Sequence, residues 1–212
     1  MASESGAMNQ CKKPSGWLGR FTLWRMNKSH SKLTDWGLEQ VTIGRHDSIL
    51  DVGCGGGRTV GKLAAIASEG RVYGVDYSEE SVAATKRNNA ELVTAGRVEV
   101  KHGTVSELPF GDGMFDLVTG IETHFWWPDL RAGMREILRV LKPGGTLVLI
   151  AEIYKGASRG NAKLIERYAD RAGMTLLTAE EHRSLFEDAG FSDIEVEDVP
   201  AKAWICAAGR RP

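Results

Sequence analysis

The sequence predicts an α/β domain: a doubly wound, mostly parallel sheet with helices on both faces and an antiparallel hairpin at its C-terminal end. Three observations carry this expectation. Short apolar runs alternate with amphipathic stretches from Ser48 to Ala151, the pattern of βαβ crossovers. The runs lack a polar face, as strands covered on both sides do. Five glycines fall between Gly53 and Gly61, four of them between the first run and the helix that follows it, at the sheet edge where open α/β folds bind ligands.

Each element has its own warrant. Residues 1 to about 14 are small and polar and predict no regular structure. Trp17, Phe21 and Trp24 fall at i, i+4 and i+7, one face of a helix. A second helical stretch carries Leu33, Trp36, Leu38 and Val41. Residues 1–44 are therefore expected to form a helical cap or lid on a domain spanning 45–212. Buried strands are expected at 48–53, 71–76, 98–101 and 115–119, with helices at 58–67, 79–94 and 130–141. Pro143, Gly144 and Gly145 predict a turn before a strand at 146–151. Segment 152–178 shows only a helical patch near 164–172. Thr178 and Glu181 form a capping box for a helix carrying Leu185, Phe186 and Ala189, and Gly190 ends it. Strands at 194–199 and 203–208 then close the sheet as an edge hairpin.

Composition removes several functional classes. The 212 residues suit one domain, and 42% hydrophobic against 26% charged residues supports a packed core. Lys and Arg number 27 against 28 Asp and Glu, a net charge of -1, so a bulk electrostatic grip on nucleic acid or anionic lipid is not expected. Cys11, Cys54 and Cys206 are odd in number and widely spaced, which disfavours a disulfide framework or zinc site and suits a reducing compartment. With no apolar stretch of signal-peptide or membrane-span length, a cytoplasmic protein is expected. The oligomeric state is left open.

The strongest local signal is Asp51-Val-Gly53-Cys-Gly55-Gly-Gly57. A phosphate-binding G-x-x-x-x-G-K-[ST] loop is excluded, since Arg58, Thr59 and Val60 follow Gly57. The dinucleotide fingerprint G-x-G-x-x-G fails in both registers, at Arg58 and at Val60. A carboxylate two residues before the first glycine would repel a pyrophosphate but suits a cationic ligand.

Residues 49–57 resemble motif I of class I S-adenosylmethionine (SAM)-dependent methyltransferases. Val75-Asp76-Tyr77-Ser78, Gly103 to Phe110, Phe115-Asp-Leu-Val118, Leu138 to Thr146 and Ala189-Gly-Phe191 are similar to further family motifs, in order. The resemblance covers roughly 48–151 and 179–209. It implies a Rossmann-like sheet and SAM as cofactor. It further implies Asp51 near the methionine amino group, Gly53 and Gly55 along the methionine and ribose, and Asp76 accepting both ribose hydroxyls. Tyr77 would pack on the adenine or ribose edge, Thr104 and Val105 would line the adenine, and Glu122 would sit at the methyl-transfer mouth. Thr104 stands where the family commonly places an acid.

Methyl transfer from a sulfonium is an in-line displacement with a neutral leaving group, so positioning and desolvation dominate. Where the acceptor needs a base, His124 is the natural candidate, with Glu122 and Tyr154 at the same sheet edge. Trp126 and Trp127 would wall the acceptor or face a cation. In the N-terminal segment, Trp24 and His30 are further acceptor-side candidates, Trp24 excluding water from beneath a lid. Segment 152–178 would form the other wall. No metal is expected, because Asp112, Asp116 and Asp129 make no convincing ligand set. A methyltransferase acting on a small-molecule acceptor is the leading reading. The rivals are a non-catalytic SAM-binding regulator, a macromolecule methyltransferase, disfavoured for nucleic acid by charge and by the sequence after the fourth strand, and an NAD-dependent oxidoreductase, disfavoured by the loop spacing.

Overall fold

The computed structural model describes residues 31–158 and 162–212. Seven strands form one sheet in the order β3-β2-β1-β4-β5-β7-β6. They are β1 (Ser48–Val52), β2 (Arg71–Asp76), β3 (Val98–His102), β4 (Phe115–Ile121), β5 (Leu141–Ala151), β6 (Ser192–Val199) and β7 (Trp204–Arg210). The first five run parallel, and β7 is antiparallel to both β5 and β6. The predicted doubly wound sheet with an antiparallel C-terminal hairpin is therefore the fold. The helix expected through Trp17 and Trp24, and with it His30, lies outside the described residues.

Strand periodicity explains the two-sided core. Ile49 and Leu117 point to one face, Leu50 and Val118 to the other, and Leu147 to Ile150 alternate likewise. One face packs on helices Leu130–Val140 and Ala179–Ala189 through Met134, Ile137 and Phe186. The other receives helix Arg58–Ile66 through Val60 and Leu63, helix Glu79–Asn88 through Val82, and helix Ser31–Leu38 through Leu33. Each such side chain, fully buried, contributes about 1.5–3 kcal/mol. Only the edge strand β6 alternates half-buried and exposed positions over most of its length, as an antiparallel strand with one solvated face should.

Two elements differ from expectation. The helix expected over 79–94 breaks at Asn89 into Glu79–Asn88 and Ala90–Thr94, because the Asn89 amide is drawn to the carbonyls of Gly57 and Thr85. The Pro143-Gly144-Gly145 turn lies inside β5: Phe115 pairs with Leu141 and Leu117 with Thr146, so the intervening residues bulge outward, with Gly144 at φ 77°. No helix among the described residues is long and apolar enough to cross a membrane.

Candidate active site

The glycine loop leaves β1 at the point where strand order reverses between β1 and β4. Gly53 N and Cys54 N both donate to Val75 O, at 2.8 and 3.1 Å, drawing the loop against β2. Gly53 adopts φ +76°, and a Cβ there would stand 2.3 Å from Thr123 Oγ1, so only glycine satisfies both backbone and space. Helix Glu79–Asn88 and the residue after it hold the loop from the other side. Thr85 Oγ1, Asn88 Nδ2 and Asn89 Nδ2 donate to the carbonyls of Gly55, Gly56 and Gly57 at 2.9, 2.8 and 2.9 Å. Positions i, i+3 and i+4 share one helix face, so one polar row satisfies three consecutive carbonyls.

Asp76 ends β2 and is buried. Its Oδ2 accepts from Gly55 N and its Oδ1 from Ser78 N, each at 2.9 Å. An ionised carboxylate offers about four acceptor sites, and the Ser81 hydroxyl takes a third, so one remains free of protein donors for an incoming hydroxyl. Burial raises its pKa above the ordinary value while the two backbone amides oppose the rise. The Tyr77 hydroxyl is pushed up to about 12, by burial and then by the Asp76 charge. Gly103 follows β3 and donates its N–H to Asp76 O at 3.0 Å, setting Thr104 and Val105 beside Asp76.

A cavity of about 440 Å³ opens over these strand ends. Its wall runs from Gly103, Thr104 and Val105 after β3, through Asp76 and Tyr77, to Val52 and Gly53 at β1 and Thr123 after β4. Trp126, Trp127 and Pro128 continue it, and Gly173 and Thr175 face them from segment 152–178. That segment is tied in place where Thr175 N donates to Phe125 O at 2.9 Å. Trp127 is both wall and anchor. It is 7% exposed, it packs where Gly133 leaves room, and its Nε1 donates to Thr123 Oγ1 at 3.3 Å.

The other candidates lie off this wall. Asp51 is 2% exposed and accepts from Thr119 Oγ1 at 2.7 Å. Burial pushes its pKa up to about 7, with the Thr119 hydroxyl opposing and the Asp76 charge adding. Gly55 faces Asp76 through its N–H. Glu122 takes φ +57° and turns back toward β5, accepting from Glu152 N. Burial drives its carboxyl up to about 8, the backbone contact opposing and the Glu152 charge adding. Tyr154 donates its hydroxyl to Asp198 on β6.

His124 opens the 3-10 turn His124–Trp126 and is 1% exposed. Its Nε2 lies 3.0 Å from His182 Nε2. His182 Nδ1 lies 2.8 Å from Thr178 O, which can only accept. His182 is therefore protonated on Nδ1, and a neutral ring leaves Nε2 to accept from His124 Nε2–H. The His124 Nδ1 is then an unprotonated acceptor, buried and without a partner among the described residues. Burial, followed by the repulsion that a second proton on this imidazole pair would meet, holds the His124 pKa well below the ordinary value.

Of the residues singled out in the sequence, Gly53, Asp76, Tyr77, Thr104, Val105, Trp126 and Trp127 line the cavity, whereas Asp51, Gly55, Glu122, His124 and Tyr154 stand behind it. Trp24 and His30 lie outside the described residues. Sequence reasoning missed Thr123, Thr175, His182 and the row Thr85, Asn88 and Asn89. Only the row carried a usable signal, its i, i+3, i+4 spacing on a helix facing the sheet.

Comparison with known proteins places this arrangement. A family model described as "Methyltransferase domain" matches residues 50–149. The chain is 33% identical over 153 residues to the O-methyltransferase cnsE of Penicillium expansum, covering 72% of this chain and 55% of that protein. It is 30% identical over 206 residues to a demethylmenaquinone methyltransferase of Shouchella clausii, covering 82% of this chain and 83% of that protein. A SAM-dependent methyltransferase from Aquifex aeolicus superposes with a TM-score of 0.74 at 20% identity, covering 90% of this chain and 97% of that one. Together with the strand order and the glycine loop, these likenesses make the chain a member of the class I SAM-dependent methyltransferase family.

Proposed function

We propose that the protein moves a methyl group from SAM to an O, N or S atom of a small-molecule acceptor, leaving S-adenosylhomocysteine (SAH). One observation carries the reading: a single cavity joins a nucleoside end at Asp76 to an aromatic end at Trp126 and Trp127. The residues present fit the cofactor. Asp76 keeps an acceptor site for a ribose hydroxyl, Thr104 and Val105 border the adenine side, and Gly53 lines the cavity with bare backbone. SAM supplies an electrophilic methyl on a sulfonium, whose departure leaves a neutral thioether.

The chain's own residues position and desolvate. Trp126 and Trp127 line this end with aromatic rings, a surface favourable to a positive sulfonium that keeps water from the transfer end. The ionisable side chains on the described wall, Asp76 and Tyr77, stand at the nucleoside end. The aromatic end is thus shaped for an acceptor that is uncharged or already nucleophilic. His124 and His182 act from behind the wall by holding the turn that carries the tryptophans. The small-molecule methyltransferases among the relatives support the acceptor class.

Calorimetric titration with SAH, SAM and NAD in parallel tests the cofactor assignment. Micromolar binding of the first two without the third is expected, and binding of NAD alone would refute it. Transfer of labelled methyl from SAM to a panel of phenols, quinols, amines and thiols then tests turnover. SAM binding without transfer to any member would favour the non-catalytic reading.

A further inference from the structure

We propose that Thr123 is a cofactor-binding residue whose hydroxyl donates to the carboxylate of the methionine end of SAM. The inference rests on the proposed methyltransferase reading and assigns a role to a residue that no motif marks.

The order of strand ends supplies the argument. The cavity wall follows β3, β2, β1 and β4 in spatial sequence. With the ribose at Asp76 on β2, adenine and methionine must extend to opposite sides. The β3 side offers Gly103, Thr104 and Val105, a surface for a flat base. The β1 and β4 side offers Gly53 and Thr123, next to the tryptophans, where the reacting sulfonium has to be. The amino acid end of the ligand therefore falls against Gly53 and Thr123.

The Thr123 hydroxyl is oriented to donate there. Its oxygen accepts from Trp127 Nε1 at 3.3 Å, which occupies a lone pair on the side of the turn. The backbone is pinned as Trp126 N donates to Thr123 O at 2.9 Å, and a β-branched side chain has few rotamers. The side chain packs against Gly53, where a Cβ would stand 2.3 Å from Oγ1, and Thr123 also lines the cavity. The hydroxyl hydrogen is thus free to turn into the cavity, toward a carboxylate, the one group on the methionine end that only accepts.

Two ligands separate this role from a general effect on the fold. SAH carries the amino acid end, whereas 5′-methylthioadenosine has the same nucleoside without it. Calorimetry on Thr123→Val should show SAH affinity falling about tenfold or more, as expected for loss of a hydrogen bond to a charged group. Affinity for methylthioadenosine should stay within about twofold of wild type, and Thr123→Ser should retain SAH binding. Thr123→Ala serves the same comparison if the valine variant does not fold. Unchanged SAH affinity in the valine or alanine variant, or equal weakening of both ligands, would overturn the assignment. Failure of the wild type to bind either ligand would overturn the methyltransferase reading itself, a result distinct from any difference between variants.

Discussion

Replacing Asp51 with asparagine should change how stability depends on pH, in a direction the structure dictates. The Asp51 carboxyl is 2% exposed, and its pKa rises from 3.8 to about 7. A raised carboxyl pKa means that the folded state keeps a proton which the unfolded chain has already lost. Between those two values the unfolded state binds fewer protons, so wild-type stability falls as pH rises, and it levels off above about 7. A shift of about 3 units at ~1.4 kcal/mol per unit amounts to about 4 kcal/mol, a large share of a typical stability of about 5–15 kcal/mol. Asparagine preserves the shape and can still accept from Thr119 Oγ1, but it does not titrate. Urea denaturation of both proteins between pH 4.5 and 8 should therefore show the variant gaining on wild type as pH rises, by a few kcal/mol in all. The difference cancels the contributions of Asp76, Glu122 and the histidines, which both proteins share. Parallel profiles would refute the claim that Asp51 is protonated in the unliganded fold.

Three further perturbations test other parts of the site. Asp76→Asn should weaken SAH binding about tenfold or more, because a hydrogen bond to a charged acceptor is compromised, while far-UV circular dichroism stays unchanged; calorimetric affinity near wild type would remove the ribose assignment. Gly53→Ala should both strain a backbone at φ +76° and drive a methyl into Thr123, so SAH binding should be lost and the melting temperature lowered; a variant that binds normally would show that the loop moves away readily. His182→Leu strands the His124 Nε2–H, so it should cost about 1–3 kcal/mol at pH 7.5. Both histidines have depressed folded pKa values, so their stabilisation is present above pH ~6.5 and lost below it, and the acid limb of wild-type stability should be shallower in the variant.

The features legible in the sequence are those whose cause is local. A strand buried on both faces must be apolar throughout, so β1, β2 and β4 could be placed to within a residue or two of their starts. Gly53 and Gly57 were legible because a positive φ and a close approach leave no alternative residue, and Asp76 because a carboxylate ending the second strand has few other uses. The features missed depend on partners far along the chain. Asn89 breaks its helix for carbonyls including that of Gly57, 32 residues away, and no propensity at position 89 encodes that. His182 meets His124 across 58 residues, so nothing near His124 indicated that its ring would turn inward to a second imidazole. Glu122 and Tyr154 follow the same logic, since a residue at a strand end faces the crevice only if no buried partner claims it first, and Glu152 N and Asp198 do. The residues on the cavity wall that the motifs did not mark, Thr123 and Thr175, are short polar side chains on loops. Thr123 is fixed only by its partners Gly53 and Trp127, and Thr175 reaches the aromatic end of the cavity from segment 152–178. A loop side chain is set by contacts distant in sequence rather than by the strand pattern, which is why the aromatic end of the cavity was the part least legible in the sequence.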